Sequence, residues 1–549
     1  MQRAIREPKG FHRLLTLPTA RSFLISLAFV LFAGLCVLPV VYMFCVSLVD
    51  TNGSLDLENY RRLVLESRQR ELLLNSTLLA ASSAMVATIL GAPLGLLLAR
   101  APLPAKSLLR IALVIPLIIP PYVLALAWIL LTGSTGFLAR VVGRDLFSDW
   151  TYTVTGAVLV LSLAYYPLSM LATEAAARRV DGHLEESGLL VTHTRRVLWR
   201  ITMPLVAPMV AAAALTIFVL GLSEFGVPSL LRARVYTTEV FTAFAALYDF
   251  GAATALAIPL LAVTVVVAVV IKIIIGERFI SERRSIHSAL PLVLGRWQAL
   301  ALAGTILVLA VSVVLPLIAL AYEAGTVERI TSTLKGSRDA ISNSLFLAAI
   351  AATLIIALAM FLGYWRGRAQ TRFRGVFDLL LIVIFAVPST VLAVGLIGLW
   401  NRPGLAGKVY TSHAIVVVGY VARFLTIAAL ILAASVRQIP ESFEEAAEVA
   451  GGSWPRTFSQ IVFPNLRPGV VAAWLISFIF AFGELGTTVL VAPPGESTLP
   501  VRIYTLIANS PSSEVAALAL MEIGIILVPL TALALVMRHG LTRRGESGG

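Results

Sequence analysis

The chain has 549 residues, of which 58% are hydrophobic and only 13% charged, with a mean hydropathy of +0.90. Soluble domains carry about 25% charged residues, so half that level, with long apolar runs, excludes an ordinary soluble domain and indicates a protein that crosses a membrane many times. The net charge of +13 would point to nucleic acid in a soluble protein, but no basic patch interleaves with aromatics. Nucleic acid is therefore excluded as a partner, and the Lys and Arg residues read as topology signals at the ends of spans in a lipid bilayer.

Residues 1–21 hold Arg3, Arg6, Lys9, Arg13 and Arg21 and read as a cytoplasmic tail. The apolar run 22–48 is too long for the core of a signal peptide and reads as an uncleaved first span. Cys36 and Cys45 both lie in it. Nine residues apart on one helix, they are about 13 Å apart along the axis, too far to bridge. Runs long enough to cross the hydrocarbon core follow at 76–99, 109–132, 153–175, 205–225 and 253–275, completing a first repeat over 22–285. After a linker at 286–298 come runs at 299–321, 344–364, 377–399, 413–435, 466–488 and 515–537, a second repeat over 299–537, and then a tail at 538–549. The expected fold is an all-α polytopic membrane protein of two parallel six-helix repeats, about 12 transmembrane helices in all.

An even number of spans puts both termini on one side. The basic clusters Arg100, Lys106 and Arg110, then Arg178, Arg179, Arg195, Arg196 and Arg200, then Arg366, Arg368, Arg372 and Arg374 all fall on that side, which the positive-inside rule assigns to the cytoplasm. The halves repeat. Asn75-Ser76 and Pro120 recur as Asn343-Ser344 and Pro388 at an offset of 268, while Glu185, Pro204 and Glu224 recur as Glu445, Pro464 and Glu484 at an offset of 260. Parallel repeats enclose a central path. Asn75-Ser76 and Asn343-Ser344 read as N-caps of the spans that follow them.

No Walker A loop, zinc-protease motif or nucleophile elbow occurs. No catalytic residue, metal site or cofactor is expected, and the chain is not read as an enzyme. The segment Glu445-Ala446-Ala447-Glu448-Val449-Ala450-Gly451, followed by Ile461-Val462-Phe463-Pro464, predicts a short helix, a tight turn and a second helix. Acidic residues at 441, 444 and 445 suit a helix N-terminus, the alanines permit close approach, and Gly451-Gly452 supplies a left-handed C-cap. The first half holds a degenerate version, Glu185-Glu186-Ser187 through Pro204, with Val191 in place of the glycine and Gly188 as the expected turn residue. Glu224, Arg423, Glu484 and Glu522 lie in or beside apolar runs, where a charge costs roughly 2.5–3.5 kcal/mol near the bilayer centre. Such groups pair or line a wet path. Glu224, Glu484 and Arg423 are the candidates for that path, with Arg423 the expected partner if the carboxylates are structural.

The pattern Glu-Ala-Ala-x3-Gly-x9-Ile-x-x-Pro over 445–464 resembles the "EAA" loop of ATP-binding-cassette (ABC) importer permeases, and 185–204 resembles a weaker copy. Glu224–Pro228 and Tyr236–Val240, with Ala492–Gly495 and Thr498–Tyr504, resemble the ferric-iron-type members of that group. The resemblance covers nearly the whole chain and implies two fused type I permease repeats in a bacterial inner membrane. It implies ATP-binding-cassette ATPase subunits, a homodimer on the cytoplasmic face, docked at Glu185, Glu186, Ser187, Pro204, Glu445, Ala446, Ala447, Gly451 and Pro464. It also implies a periplasmic substrate-binding protein. Ferric iron is the expected cargo, with thiamine, polyamine and phosphonate as alternatives within the same machinery. An ion-gradient-driven secondary transporter is the rival of another class. Its Gly-x-x-x-Asp-Arg-type loop is missing between the second and third spans, where Arg100–Lys106 stands.

Overall fold

The computed structural model describes residues 20–48, 60–61, 65–143, 148–275, 291, 295–369, 373–495 and 497–546. The tail at 1–21 and the linker at 286–298 fall mostly outside these residues. Among the described residues the fold is helical, without strands. Among the described residues eleven helices are long and apolar enough to cross a membrane, or up to twelve when a bent pair counts as one span. Both cysteines are free, Cys36 buried and Cys45 exposed.

The first half comprises α1 (Ala20–Ser47), α2 (Ser67–Arg100), α3 (Lys106–Ile118), α4 (Pro121–Thr132), α5 (Val154–Ala177), α6 (Gly182–Leu189), α7 (Thr194–Ser223), α8 (Tyr236–Ala245) and α9 (Phe250–Ile275). The second repeats this order. Its helices are α10 (Gly295–Ala324), α11 (Arg338–Arg368), α12 (Phe373–Ala386), α13 (Ser389–Trp400), α14 (Ala414–Arg437), α15 (Ser442–Val449), α16 (Trp454–Phe482), α17 (Leu499–Asn509) and α18 (Ser512–Glu546).

Within each half the second helix packs on the fifth, α2 on α5 and α11 on α14. Small residues permit the approach. A Cβ on Gly91 would lie 2.3 Å from the Tyr166 carbonyl oxygen, and one on Gly363 would lie 2.9 Å from Leu432 Cβ. The glycines recur four residues on, at Gly95 and Gly367, the small-xxx-small spacing by which membrane helices pack when no hydrophobic effect drives them together.

The repeats divide the sequence, but the first helix of each crosses to the other half. Helix α1 packs on α11 and α13, with Phe29 edge-on to Trp365, Phe32 against Phe377, and Arg402 donating to Tyr42 Oη at 2.6 Å. Helix α10 packs on α3 and α4, with Gln298 donating to the Pro102 carbonyl at 2.9 Å and Ser312 Oγ 3.2 Å from Tyr166 Oη. The two halves are thereby interlocked.

Two expectations change. The runs 109–132 and 377–399 are not single straight spans. Each breaks at a proline, Pro120 or Pro388, which stands in the extended region (ψ 133° and 142°). In the second half the two pieces bend by 98°. Proline removes a backbone donor and pushes the preceding residue out of the helical region, as Ile119 shows at ψ 128°.

Asn75-Ser76 and Asn343-Ser344 do not open their own helices, which begin earlier at Ser67 and Arg338. Instead Ser76 Oγ accepts from the Tyr236 N–H (2.8 Å) and Ser344 Oγ from the Leu499 N–H (2.6 Å). The serines cap α8 and α17, the helices that return to the bundle, because those N-termini are buried where no water satisfies them.

Pro204 and Pro464 stand where the second helix of each elbow runs on into its span. Each lies two residues beyond a wide π turn, Leu198–Thr202 and Phe458–Val462, inside a continuous helix. Pro39 and Pro316 follow π turns in α1 and α10 in the same way. The missing proline N–H is absorbed by one wide turn, so the helix continues.

Candidate functional site

Two regions gather the residues singled out in the sequence: a pair of elbows at one end of the bundle, and a polar cluster where the two halves meet.

In the first elbow α6 is capped by Asp181, whose Oδ1 accepts from the His183 N–H at 3.1 Å. Glu185 is 1% exposed and accepts from Arg100 at the end of α2 and from Thr202 in the π turn of α7. Arg100 also donates to the Ala177 carbonyl at 2.9 Å. One buried carboxylate thus ties together α2, α5, α6 and α7. Glu186 points outward, its side chain 57% exposed, and Ser187 is also exposed. Gly188 does not make the turn. It lies within α6, where a Cβ would come within 2.7 Å of Ile201 Cδ1, so it is needed for contact and not for backbone freedom.

The second elbow uses the same plan with different residues. Arg368, at the end of α11, donates through Nε to Glu444 Oε1 at 2.8 Å and through Nη2 to the Ile439 carbonyl at 3.0 Å. Tyr364 donates to Glu444 Oε2 at 2.6 Å, and Trp454 Nε1 donates to Tyr364 Oη at 3.2 Å. Arg21 of α1 lies over the Tyr364 ring. Glu445 and Ala446 are exposed and Ala447 is half-buried. Gly451 has φ +77° and its N–H donates to the Glu448 carbonyl, while the Gly452 N–H reaches back to Ala447 at 2.8 Å. This is the left-handed C-cap expected of glycine. Around both elbows apolar side chains stand in the open: Leu184, Leu190 and Val191 in one, Phe443 and Val449 in the other.

Several basic residues at this end are tied to carboxylates. Arg110 and Arg178 both hold Glu174, linking α3 to α5, and Arg366 holds Asp378, linking α11 to α12. Sequence reasoning took Arg100 and Arg368 only as topology markers. The signal that finds them is their recurrence at 268 residues, each closing a long span opposite an acidic short helix.

The central cluster is built on the loops after α7 and α16. These helices stop at Ser223 and Phe482, so Glu224 and Glu484 lie on the loops and not within the spans. The loops touch each other and the proline breaks. A Cβ on Gly226 would come within 2.7 Å of Tyr122 Cβ, one on Gly483 within 2.5 Å of Pro120 Cγ, and one on Gly486 within 2.1 Å of Ser389 Oγ. Ser223 Oγ donates across the halves to the Ala386 carbonyl at 3.1 Å.

Each loop carboxylate first accepts from its own loop, Glu224 from the Gly226 N–H (3.0 Å) and Glu484 from the Thr487 N–H (2.8 Å). The second oxygen of Glu224 accepts from Tyr165 at 3.2 Å, and that of Glu484 pairs with Arg423 Nε at 3.1 Å. The pairing of Arg423 with Glu484 is the partner weighed in the sequence. Tyr165, Glu224, Arg423 and Glu484 lie within electrostatic reach of one another, so the two halves contribute to one cluster.

The model of the family described as "Binding-protein-dependent transport system inner membrane component" matches residues 91–286 and again 355–544, one match per half. The chain is 25% identical over 472 residues to the Fe(3+)-transport system permease protein FbpB 2 of Haemophilus influenzae, covering 84% of this chain and 88% of the relative. It is 24% identical over 528 residues to the putative ferric transport system permease protein FbpB 1 of the same organism, covering 88% and 80%. A putative 2-aminoethylphosphonate transport system permease protein, PhnU of Salmonella typhimurium, is 27% identical over 217 residues, covering 37% of this chain and 76% of its own. Two matched domains on an interlocked, duplicated helical bundle establish that the chain belongs to the family of binding-protein-dependent transport system inner membrane components, as two fused permease repeats.

Proposed function

We propose that this chain forms the conducting path of an ATP-driven importer of ferric iron, with cargo handed over by a periplasmic binding protein and energy supplied by separate ATPase subunits. The observation that carries this reading is the pair of elbows. Each is a short helix exposed on one face and tied to a long span by an Arg–Glu contact, buried in the first elbow and half-buried in the second, so a push on the short helix reaches α2 or α11 without slack.

The elbow end carries the basic clusters, which the positive-inside rule assigns to the cytoplasm, the compartment that holds ATP. The exposed Leu184, Leu190, Val191, Phe443 and Val449 supply apolar contact area for the ATPase pair. Closure of that pair moves the two elbows and swings α2 and α11. The loops bearing Glu224 and Glu484 then part, and the cluster with Arg423 lies on the path that opens. Iron is favoured because the ferric-transport relatives align with both halves, whereas the phosphonate and putrescine relatives align with about a third of the chain.

The test is reconstitution of the permease with its co-purifying ATPase and binding protein in liposomes. Uptake of radioactive iron that requires ATP inside and ignores proton and sodium gradients is expected. Gradient-driven uptake with no ATPase present would overturn the reading.

A further inference from the structure

Glu522 takes no part in the elbows or in the Glu224–Arg423–Glu484 group. It lies on α18 with no exposure. One oxygen, Oε2, accepts from Tyr122 of α4, so the contact bridges the two halves. The other, Oε1, is buried and finds no donor among the described residues. Nor is any described Lys or Arg paired with it, in contrast to Glu484. Duplication does not account for the arrangement either, because the residue repeating Tyr122 at the offset of 268 is Thr390, whose Oγ1 is also buried without a partner. A membrane-buried carboxylate held with one oxygen idle is costly unless something uses it.

The surroundings show what could use it. Tyr420 lies within electrostatic reach of both Glu522 and Glu484, so Glu522 adjoins the central cluster. Here carboxylates and phenols recur in pairs, Tyr165 with Glu224 and Tyr122 with Glu522. All are hard oxygen donors, the type that suits small, highly charged cations, in contrast to the thiolates and imidazoles of softer sites. Among the described residues no group of three or more His, Cys, Asp or Glu is assembled to hold a metal tightly. A conducting path needs that looseness, since cargo must bind well enough to enter and weakly enough to leave.

We propose that Glu522 and Tyr122 form a transit station for a hard trivalent cation, beside the Glu224–Glu484 pair. Arg423 holds the first station with its tethered positive charge until cargo displaces it. On binding, the cation takes the place of the Tyr122 hydroxyl proton, which leaves to water, and Glu522 Oε1 becomes a ligand. This rests on the iron reading above but assigns the step to residues that reading does not use.

The test uses the complete reconstituted transporter and ferric iron supplied as its nitrilotriacetate complex. Glu522→Gln keeps an acceptor for Tyr122 and so keeps the strut, but removes the charge. A drop in iron uptake of tenfold or more, with thermal unfolding unchanged and partial recovery in Glu522→Asp, is expected. Tyr122→Phe should in addition weaken the phenolate-to-iron charge-transfer absorbance of the purified permease. Normal uptake by Glu522→Gln alongside iron-transporting wild type would overturn the station and leave the cargo assignment standing. A wild type that carries no iron would overturn both.

Discussion

The two elbows follow one sequence plan and are fixed to the bundle by different residues. In the first, Glu185 is sunk between Arg100 and Thr202. In the second, the residue nineteen before the proline is Glu445, which is exposed, and the preceding Glu444 takes the contact with Arg368 and Tyr364. A helix turns by about 100° per residue, so moving the anchor by one position rotates the outward face by that angle. The carboxylate that opens the repeated motif is therefore structural in one half and free to meet a partner in the other. The ends of the short helices differ as well. The second closes on Gly451 at φ +77°, while the first runs out through Leu190 in the right-handed region and relies on Gly188 for close contact with α7.

The largest effect expected from this difference concerns the anchors. Glu185→Gln leaves Arg100 buried and unpaired, and breaking such a pair costs about 3–5 kcal/mol. The purified protein should unfold at a clearly lower temperature, whereas Glu445→Gln should shift stability by no more than about 0.5 kcal/mol. Equal shifts for the two variants would erase the comparison.

The glycines come next. Gly188→Val presses on Ile201 and Val197, an overpacking that costs about 1–3 kcal/mol, readable in the same unfolding assay. Gly451→Val meets no neighbour within 4 Å, so its penalty is backbone strain alone, about 1–2 kcal/mol. That is enough to lower the population of a correctly turned elbow about tenfold, and iron uptake per ATP hydrolysed should fall while the protein still inserts. Retention of full coupling would show that the second turn does not need its left-handed residue.

A smaller change is expected from Ser344→Ala, which removes the cap on α17 at a cost of about 1 kcal/mol. It should appear as faster amide exchange at Leu499. Unchanged exchange there would mean that the buried N-terminus finds another acceptor. The smallest change in stability should come from Glu445→Lys, whose side chain is exposed. Its effect should be confined to partner binding, measured as loss of the co-purifying ATPase, and undiminished co-purification would remove Glu445 from the docking face.

Much of this was legible in the sequence because it depends on local rules. Apolar run lengths gave the spans, offsets of 268 and 260 gave the duplication, and Gly451 gave the C-cap, since few other residues adopt its φ without strain. What failed did so where a distant element supplied the deciding contact. Ser76 and Ser344 look like caps of their own helices and cap others 160 and 155 residues away. Glu445 has the motif position, and Arg368 chose its neighbour. The central cluster was half visible. A membrane charge stands out in any apolar run, yet its partner on another helix leaves no mark at fixed spacing.

By itself the sequence determined the membrane class, the two parallel repeats and the position of both elbows, because hydropathy, proline and glycine act over one or two helical turns. Only the tertiary structure decided which carboxylates anchor and which stand free, that α1 and α10 exchange halves, and that Glu522 meets Tyr122. Those outcomes depend on how helices far apart in the chain pack side by side, where a shift of a single residue turns a buried group toward the outside.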